Sequence, residues 1–135
     1  MLDVNWIEII AAGVAAMVLG FLWYGPIFGK KWIKLTGMTE AQIKEAKAKG
    51  MTKSYALMMV SALVMAYALA MFVDKIGANN LTSGAIVGFW AWLGFAATVQ
   101  LSKVLWGKDS WELYCLETGY YLVSLSLMGA IIGSM

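Results

Sequence analysis

The chain has 135 residues, of which 61% are hydrophobic and only 13% are charged, with a formal net charge of +2. A soluble domain usually carries about 25% charged residues, so this composition excludes an ordinary water-soluble globule. All ten basic residues are lysines. The chain has no His, the commonest general base and metal ligand, and no Arg, the side chain that binds phosphate in a bidentate manner. This composition argues against an enzyme, a metal or cofactor site and a nucleic-acid partner.

Four long stretches contain no charged residue: residues 9–29, 54–73, 76–102 and 118–135. Crossing the hydrocarbon core takes about 20 apolar residues in a helix, and a helix satisfies its own backbone polar groups in lipid. The sequence therefore predicts an all-α, polytopic membrane protein. We expect one domain over residues 1–135, a bundle of four transmembrane helices with spans over about residues 5–25, 53–74, 81–104 and 110–133.

The first span ends within the segment LWYGPIFGKKW, residues 22–32. Trp23 and Tyr24 suit the interface between membrane and water. Pro26 lacks a backbone N–H and disfavours helical geometry at the residue before it. The first helix should therefore end or kink at Gly25.

A short cytoplasmic amphipathic helix is predicted between spans 1 and 2. Thr39 is a suitable N-cap and Gln42 completes a capping box, with Met38 and Ile43 at the positions of a hydrophobic staple. Gly50 can end this helix in the left-handed conformation. The helix is either a solvated linker or a basic surface that attracts anionic lipid.

Lysines are concentrated in two of the three connections between spans. The first connection, residues 30–53, contains seven lysines and the third, near residues 103–109, contains two, whereas the second has only Lys75. The positive-inside rule places the first and third connections in the cytoplasm. We therefore expect a multi-pass protein of the cell (inner) membrane with both termini outside.

Two spans contain GxxxG patterns that allow helices to pack closely. Gly84 and Gly88 lie in span 3, and Gly129 and Gly133 lie in span 4. Such pairs let two backbones approach each other in lipid, where no hydrophobic drive joins helices. They could act within one chain or between copies. Because four short helices enclose little interior, we expect a homo-oligomer in the lipid bilayer.

Four polar side chains within or near the spans need an explanation, because ionisable groups in a membrane segment are costly and indicate function by default. Glu8 lies about one turn inside the outer face, and Gln100, Lys103 and Glu117 reach similar depth near the third connection. One interpretation is a proton- or cation-responsive site. The other is a set of interhelical hydrogen bonds that fixes helix register.

The segment LWYGPIFGKKWIKL after span 1 is echoed by LWGKDSWEL, residues 105–113, after span 3. This similarity has two interpretations. It indicates two helix-pair repeats of the same orientation, as some transporters use, or it arises by chance because both segments lie at membrane interfaces, which favour Trp and Lys.

Three stretches, NW at 5–6, GFLWYGPIFGKKWIKLTGMTE at 20–40 and TGYYLVSLSLMGAI at 118–131, resemble domain-of-unknown-function family 1761, a family of small bacterial and fungal integral membrane proteins. The resemblance covers nearly the whole chain and implies a four-helix membrane protein without assigning an activity. The residues that match the family's pattern are Asn5, Trp6, Trp23, Tyr24, Gly25, Pro26, Gly29, Trp32, Gly119 and Tyr120.

These observations predict no catalytic residue, no metal site and no cofactor. The first functional hypothesis is transport of a small solute or ion by an oligomer, through a cavity near Glu8, Gln100 and Glu117. The second is a non-catalytic structural or regulatory membrane subunit that docks through its lysine-rich connection. A third is a lipid-binding protein whose pocket is lined by interfacial tryptophans.

Overall fold

The structure, a computed structural model, describes residues 5–37, 39–50 and 52–134, and every regular element in these ranges is helical. Helices are continued by two π-helical segments, Trp23–Ile27 and Trp92–Ala97. The α-helices are α1 (Trp6–Leu22), α2 (Gly29–Thr36), α3 (Glu40–Ala48), α4 (Thr52–Ile76), α5 (Leu81–Ala91), α6 (Thr98–Gln100), α7 (Ser102–Leu105) and α8 (Trp111–Ser134).

Four helical stretches are long and apolar enough to cross a membrane. They are span 1 (Trp6–Ile27), span 2 (Thr52–Ile76), span 3 (Leu81–Leu105) and span 4 (Trp111–Ser134). The predicted all-α bundle of four spans is therefore confirmed. Met38, one half of the predicted hydrophobic staple, lies outside the described residues.

The outer surface of the bundle is apolar over the length of the spans. Large hydrophobic side chains point outward from every span, such as Ile10 and Val18 on span 1, Val64 on span 2, and Trp90 and Phe95 on span 3. A soluble monomer rarely exposes such continuous apolar surface. In a bilayer the same surface contacts lipid tails, so the outward pattern agrees with the span assignment.

Small residues bring spans 1, 2 and 4 together in the core. Ala12, Ala66 and Met128 are completely buried. Ile9 and Leu69 belong to the same cluster of buried side chains. This core lies toward the ends of the spans where the chain begins and ends, so that end of the bundle is closed.

Span 3 packs against span 4 through both GxxxG patterns. A Cβ atom added at Gly84 would fall on the carbonyl oxygen of Gly129, and one at Gly133 would lie 2.9 Å from the Cα of Gly84. A Cβ at Gly88 would fall on the carbonyl oxygen of Leu125. The glycine pairs therefore act within one chain, which resolves the alternative that the sequence left open.

Span 1 breaks where Pro26 predicts a break. Gly25 leaves helical geometry, with φ −112° and ψ −105°, and the chain bends before α2 begins at Gly29. Helix α2 was not predicted from the sequence. Gly37, with φ 74°, ends α2 in the left-handed conformation that glycine adopts without strain.

Helix α3 has the predicted N-terminal cap. The Gln42 backbone N–H donates to Thr39 Oγ1 at 3.2 Å, and the Thr39 N–H donates to Gln42 Oε1 at 2.9 Å. Gly50 adopts φ 82°, as expected for a glycine that closes a helix. The local cap signals therefore identified this helix correctly.

Span 3 contains a break that the sequence did not predict. Its helix widens into the π-helical segment Trp92–Ala97 and then continues through α6 and α7. The Thr98 hydroxyl donates to the Gly94 carbonyl oxygen at 2.7 Å, which satisfies one acceptor in the segment. Spans 1 and 3 are therefore both interrupted, whereas spans 2 and 4 are continuous α-helices.

The contact between spans 3 and 4 predicts a difference between two Gly-to-Ala substitutions in span 3. Gly88→Ala should destabilise the protein by about 1–3 kcal/mol, because its methyl group would overlap the Leu125 backbone. Gly94→Ala is the matched control, because a Cβ there meets open space. The measurement is the temperature at which half of the purified protein loses its monodisperse peak in detergent. Equal midpoints for the two variants would contradict close packing at Gly88.

Candidate functional site

A cavity of about 580 Å³ lies among all four spans, at the end of the bundle that carries α2 and the third connection. It extends from Tyr55, near the start of span 2, to Met17, near the middle of span 1. The remaining lining residues are Gly20, Phe21, Tyr24, Gly25, Trp32, Met58, Gln100, Lys103, Glu117, Tyr120 and Tyr121.

Glu117 is the acidic group of this cavity. Its side chain is 20% exposed and lies on span 4, roughly two turns from the start of the helix. Glu117 Oε1 accepts a hydrogen bond from Trp32 Nε1 at 3.3 Å, and Oε2 lies 3.8 Å from Lys103 Nζ. The carboxylate therefore has one neutral donor on α2 and one cation on span 3.

Gln100 joins spans 3 and 4 beside this pair. Its Oε1 accepts from the Thr118 hydroxyl at 3.1 Å, and Thr118 is itself buried. The structure thus brings together Gln100, Lys103 and Glu117. The sequence groups these three residues because they lie at similar depth on either side of the third connection. Both sequence interpretations have support here, because the group includes an interhelical hydrogen bond and also lines a cavity.

Glu8 does not join this group. It lies in the first turn of α1, where the Asn5 side-chain amide donates to Glu8 Oε1 at 3.3 Å. Met17, the cavity residue nearest to it along span 1, lies nine positions further on, which is about 14 Å of helical rise. The expected cavity near Glu8, Gln100 and Glu117 therefore contains only the last two of these residues.

Four of the family-pattern residues, Tyr24, Gly25, Trp32 and Tyr120, line the cavity, and a fifth, Trp23, packs beside Tyr120. The Tyr24 ring lies 5.5 Å from Trp32 and 5.4 Å from Tyr120, measured between ring centroids. Trp23 Nε1 donates to the Leu116 carbonyl oxygen at 3.0 Å, and its ring lies 6.4 Å from that of Tyr120. Gly25 supplies the bend between these aromatic residues and α2.

The other family-pattern residues support the site or lie far from it. Gly119 passes close to the Trp23 ring, since a Cβ there would lie 3.4 Å from it. Pro26 forms the break in span 1, and Gly29 is buried at the start of α2. At the opposite end, Asn5 caps α1 by accepting from the Ile7 N–H, and Trp6 stacks on Tyr67.

Several contacts of the site were missed by sequence reasoning. The Tyr120 hydroxyl donates to the Ala16 carbonyl oxygen at 2.9 Å, and Trp92 Nε1 donates to the Thr118 carbonyl oxygen at 2.8 Å. Trp32 reaches Glu117 across 85 positions of sequence. Polar aromatic residues within a span are a usable signal for such bonds, because a buried N–H or O–H needs a partner.

A second, more apolar groove of about 460 Å³ adjoins the cavity between spans 2, 3 and 4. Gln100 and Tyr121 line both spaces. Within the ranges that the structure describes, no group of three or more His, Cys, Asp or Glu side chains is placed to hold a metal ion.

The fold and the site define a polytopic α-helical membrane protein with an aromatic-lined cavity beside the partly buried carboxylate of Glu117. The profile of a family described as "Protein of unknown function (DUF1761)" matches residues 7–133. The chain belongs to this family, which confirms the resemblance carried by the WYGP segment and the TGYY segment. No curated protein and no solved structure matches the chain.

The bond from Tyr120 to span 1 predicts a difference between two adjacent tyrosines. Tyr120→Phe should lower the stability by about 1 kcal/mol, because the interhelical hydrogen bond from span 4 to the Ala16 carbonyl oxygen is lost in an apolar environment. Tyr121→Phe removes a hydroxyl from the same cavity wall and is the control. Thermal midpoints in detergent provide the comparison. A larger loss for the Tyr121 variant would show that the hydrogen bond from Tyr120 does not hold span 1 to span 4.

Proposed function

We propose that this protein carries a small solute across the membrane and binds it in the cavity among the four spans. The observation that carries the proposal is the shape of the cavity. Its lining runs from Trp32 and Lys103, at the lysine-rich end of the bundle, to Met17 near the middle of span 1, where buried residues such as Ala12 and Met128 begin. A solute site near the bilayer midplane that is reached from one side is the geometry of one state of a carrier.

The interruptions of spans 1 and 3 support this function. Transporters often build their sites from discontinuous helices, and π-helical segments occur frequently at functional sites. The break at Gly25 lines the cavity, and the segment Trp92–Ala97 leads into Gln100 and Lys103. Interrupted odd-numbered spans also agree with the sequence echo that suggests two helix-pair repeats.

The lysine distribution supports an orientation for the carrier. The cavity lies at the end that holds α2 and the third connection, and the two connections at this end contain nine of the ten lysines. By the positive-inside rule this end faces the cytoplasm of a cell membrane, with both termini outside. The cavity is then in a cytoplasm-open state.

A non-catalytic structural or regulatory subunit is the second candidate, and the pattern of α2 favours it. Lys30, Lys31 and Lys34 are exposed, whereas Trp32 and Ile33 are partly buried against the bundle. Such a basic surface suits anionic lipid or an acidic partner. The homo-oligomer stays a prediction; because the GxxxG glycines pack within the chain, a second copy would have to use other surfaces.

Cysteine accessibility tests transport without knowledge of the solute. In a Cys115→Ser background, Met17→Cys places one thiol at the inner end of the cavity. A small membrane-impermeant methanethiosulfonate should modify it in inside-out membrane vesicles and also in right-side-out vesicles. The physical reason is that a carrier exposes its site to each side in turn.

Two matched variants make the result interpretable. Val18→Cys places a thiol on the outward apolar surface beside Met17 and should react from neither side. Lys47→Cys, in α3, should react only in inside-out vesicles and thereby reports the orientation. Modification of the Met17 variant from one side alone would contradict transport and favour the subunit.

A further inference from the structure

The negative charge of the cavity lies deeper than the positive one. The Glu117 side chain is 20% exposed, whereas the Lys103 side chain is 56% exposed. The ammonium group therefore sits on the more exposed side of the carboxylate and has room to move away from it. A ligand that enters the cavity meets a site whose interior charge is negative.

The ion pair between these residues is weak enough for a ligand to replace it. Its N–O distance of 3.8 Å is well beyond the roughly 2.7–2.9 Å of a charge-assisted hydrogen bond. The lysine end of the pair is exposed, and solvent screening weakens such a pair. Trp32 Nε1 still donates to Glu117 Oε1 when the lysine leaves, so the carboxylate keeps its position.

The walls of the cavity suit an organic cation better than a metal ion. Aromatic rings attract cations that lie over their faces, and the attraction grows when water is excluded. A metal ion would need several oxygen ligands at short distance, and Glu117 is the single carboxylate that lines the space. The aromatic side chains that line the cavity are Phe21, Tyr24, Trp32, Tyr55, Tyr120 and Tyr121.

We infer that the solute bound in this cavity is an organic cation, an ammonium-type or phosphonium-type charge surrounded by apolar groups, which takes the place of Lys103 beside Glu117. This inference rests on the proposed carrier function and names its substrate class. The apolar groove that shares Gln100 and Tyr121 with the cavity adds hydrocarbon surface for the body of such a molecule.

Two isosteric probes of opposite charge test the inference on the purified full chain in detergent. Tetraphenylphosphonium should bind in isothermal titration calorimetry, and tetraphenylborate should not, after subtraction of partitioning into protein-free micelles. The net charge of +2 favours the anion at non-specific sites, so preference for the cation reports the cavity. Equal binding of the two probes, or preference for the borate, would overturn the inference.

Charge variants then locate the binding. Glu117→Gln should weaken tetraphenylphosphonium binding at least about tenfold, because the cation loses its charged partner. Lys103→Met should tighten it about two- to fivefold, because the ligand no longer competes with the lysine. Glu112→Gln removes an exposed carboxylate from the same helix and should change nothing. The Lys103 result keeps the test decisive if the Glu117 variant folds poorly.

The outcomes separate the substrate class from the function. If tetraphenylphosphonium fails to bind while the Met17→Cys thiol reacts from both sides of the membrane, the carrier stands and the cationic substrate is wrong. If the phosphonium binds with the expected variant pattern while the thiol reacts from one side only, the site and its ligand class stand and transport is wrong. Weaker binding in the Lys103 variant would also overturn the exchange of cations at Glu117.

Discussion

Hydrogen bonds between aromatic side chains and main-chain carbonyl groups hold span 4 to both interrupted spans. Trp23 and Trp92 donate from spans 1 and 3 to carbonyl groups of span 4, while Tyr114 and Tyr120 donate from span 4 to Ala97 and Ala16. In hydrocarbon no water can satisfy a backbone group that a π-helical turn or a kink releases. Tyr114 donates to Ala97, which lies in the second interruption, and the other three bonds reach carbonyl groups of regular helix and fix the register of the packed helices. The interruptions at Trp23–Ile27 and Trp92–Ala97 are tolerated because span 4, a continuous helix, lies against both.

The size of the packed residues explains why the cavity lies toward one end of the bundle. Toward the termini, alanines and glycines such as Ala12, Ala66 and Gly84 let the helices approach until no space remains. Toward the lysine-rich end, Trp32, Tyr24 and Tyr120 stand between the helices and hold them apart. Close packing of small residues is the main attraction between helices in lipid, so the closed end carries most of the helix association. The aromatic end can then keep an open space without loss of the fold.

Local signals decided how much of this could be predicted from the sequence. The spans can be recognised from the absence of charge over about 20 residues, and α3 from the capping box between Thr39 and Gln42. Both signals are local, and both were interpreted correctly. The break in span 3 has no proline to announce it, and α2 is stabilised by a contact between Trp32 and Glu117 that lies 85 positions away. Gln100, Lys103 and Glu117 could be grouped from the sequence because they lie within a few turns of the same short connection. Residues at similar distances from such a connection lie at similar depths in the membrane. The same reasoning could not join Glu8, because it lies at the other end of span 1.

The exposed lysines beside the cavity and the carboxylate inside it lie in different electrostatic environments. A lysine-rich end of the bundle is therefore compatible with a negatively charged cavity. Lys30, Lys31 and Lys34 are exposed, and salt screens such charges beyond about 8 Å at physiological ionic strength. Glu117 is mostly enclosed among aromatic rings, where the effective dielectric constant is lower and a charge interacts more strongly with whatever enters. The proposed orientation therefore depends on the exposed lysines, whereas the proposed ligand class depends on the enclosed carboxylate.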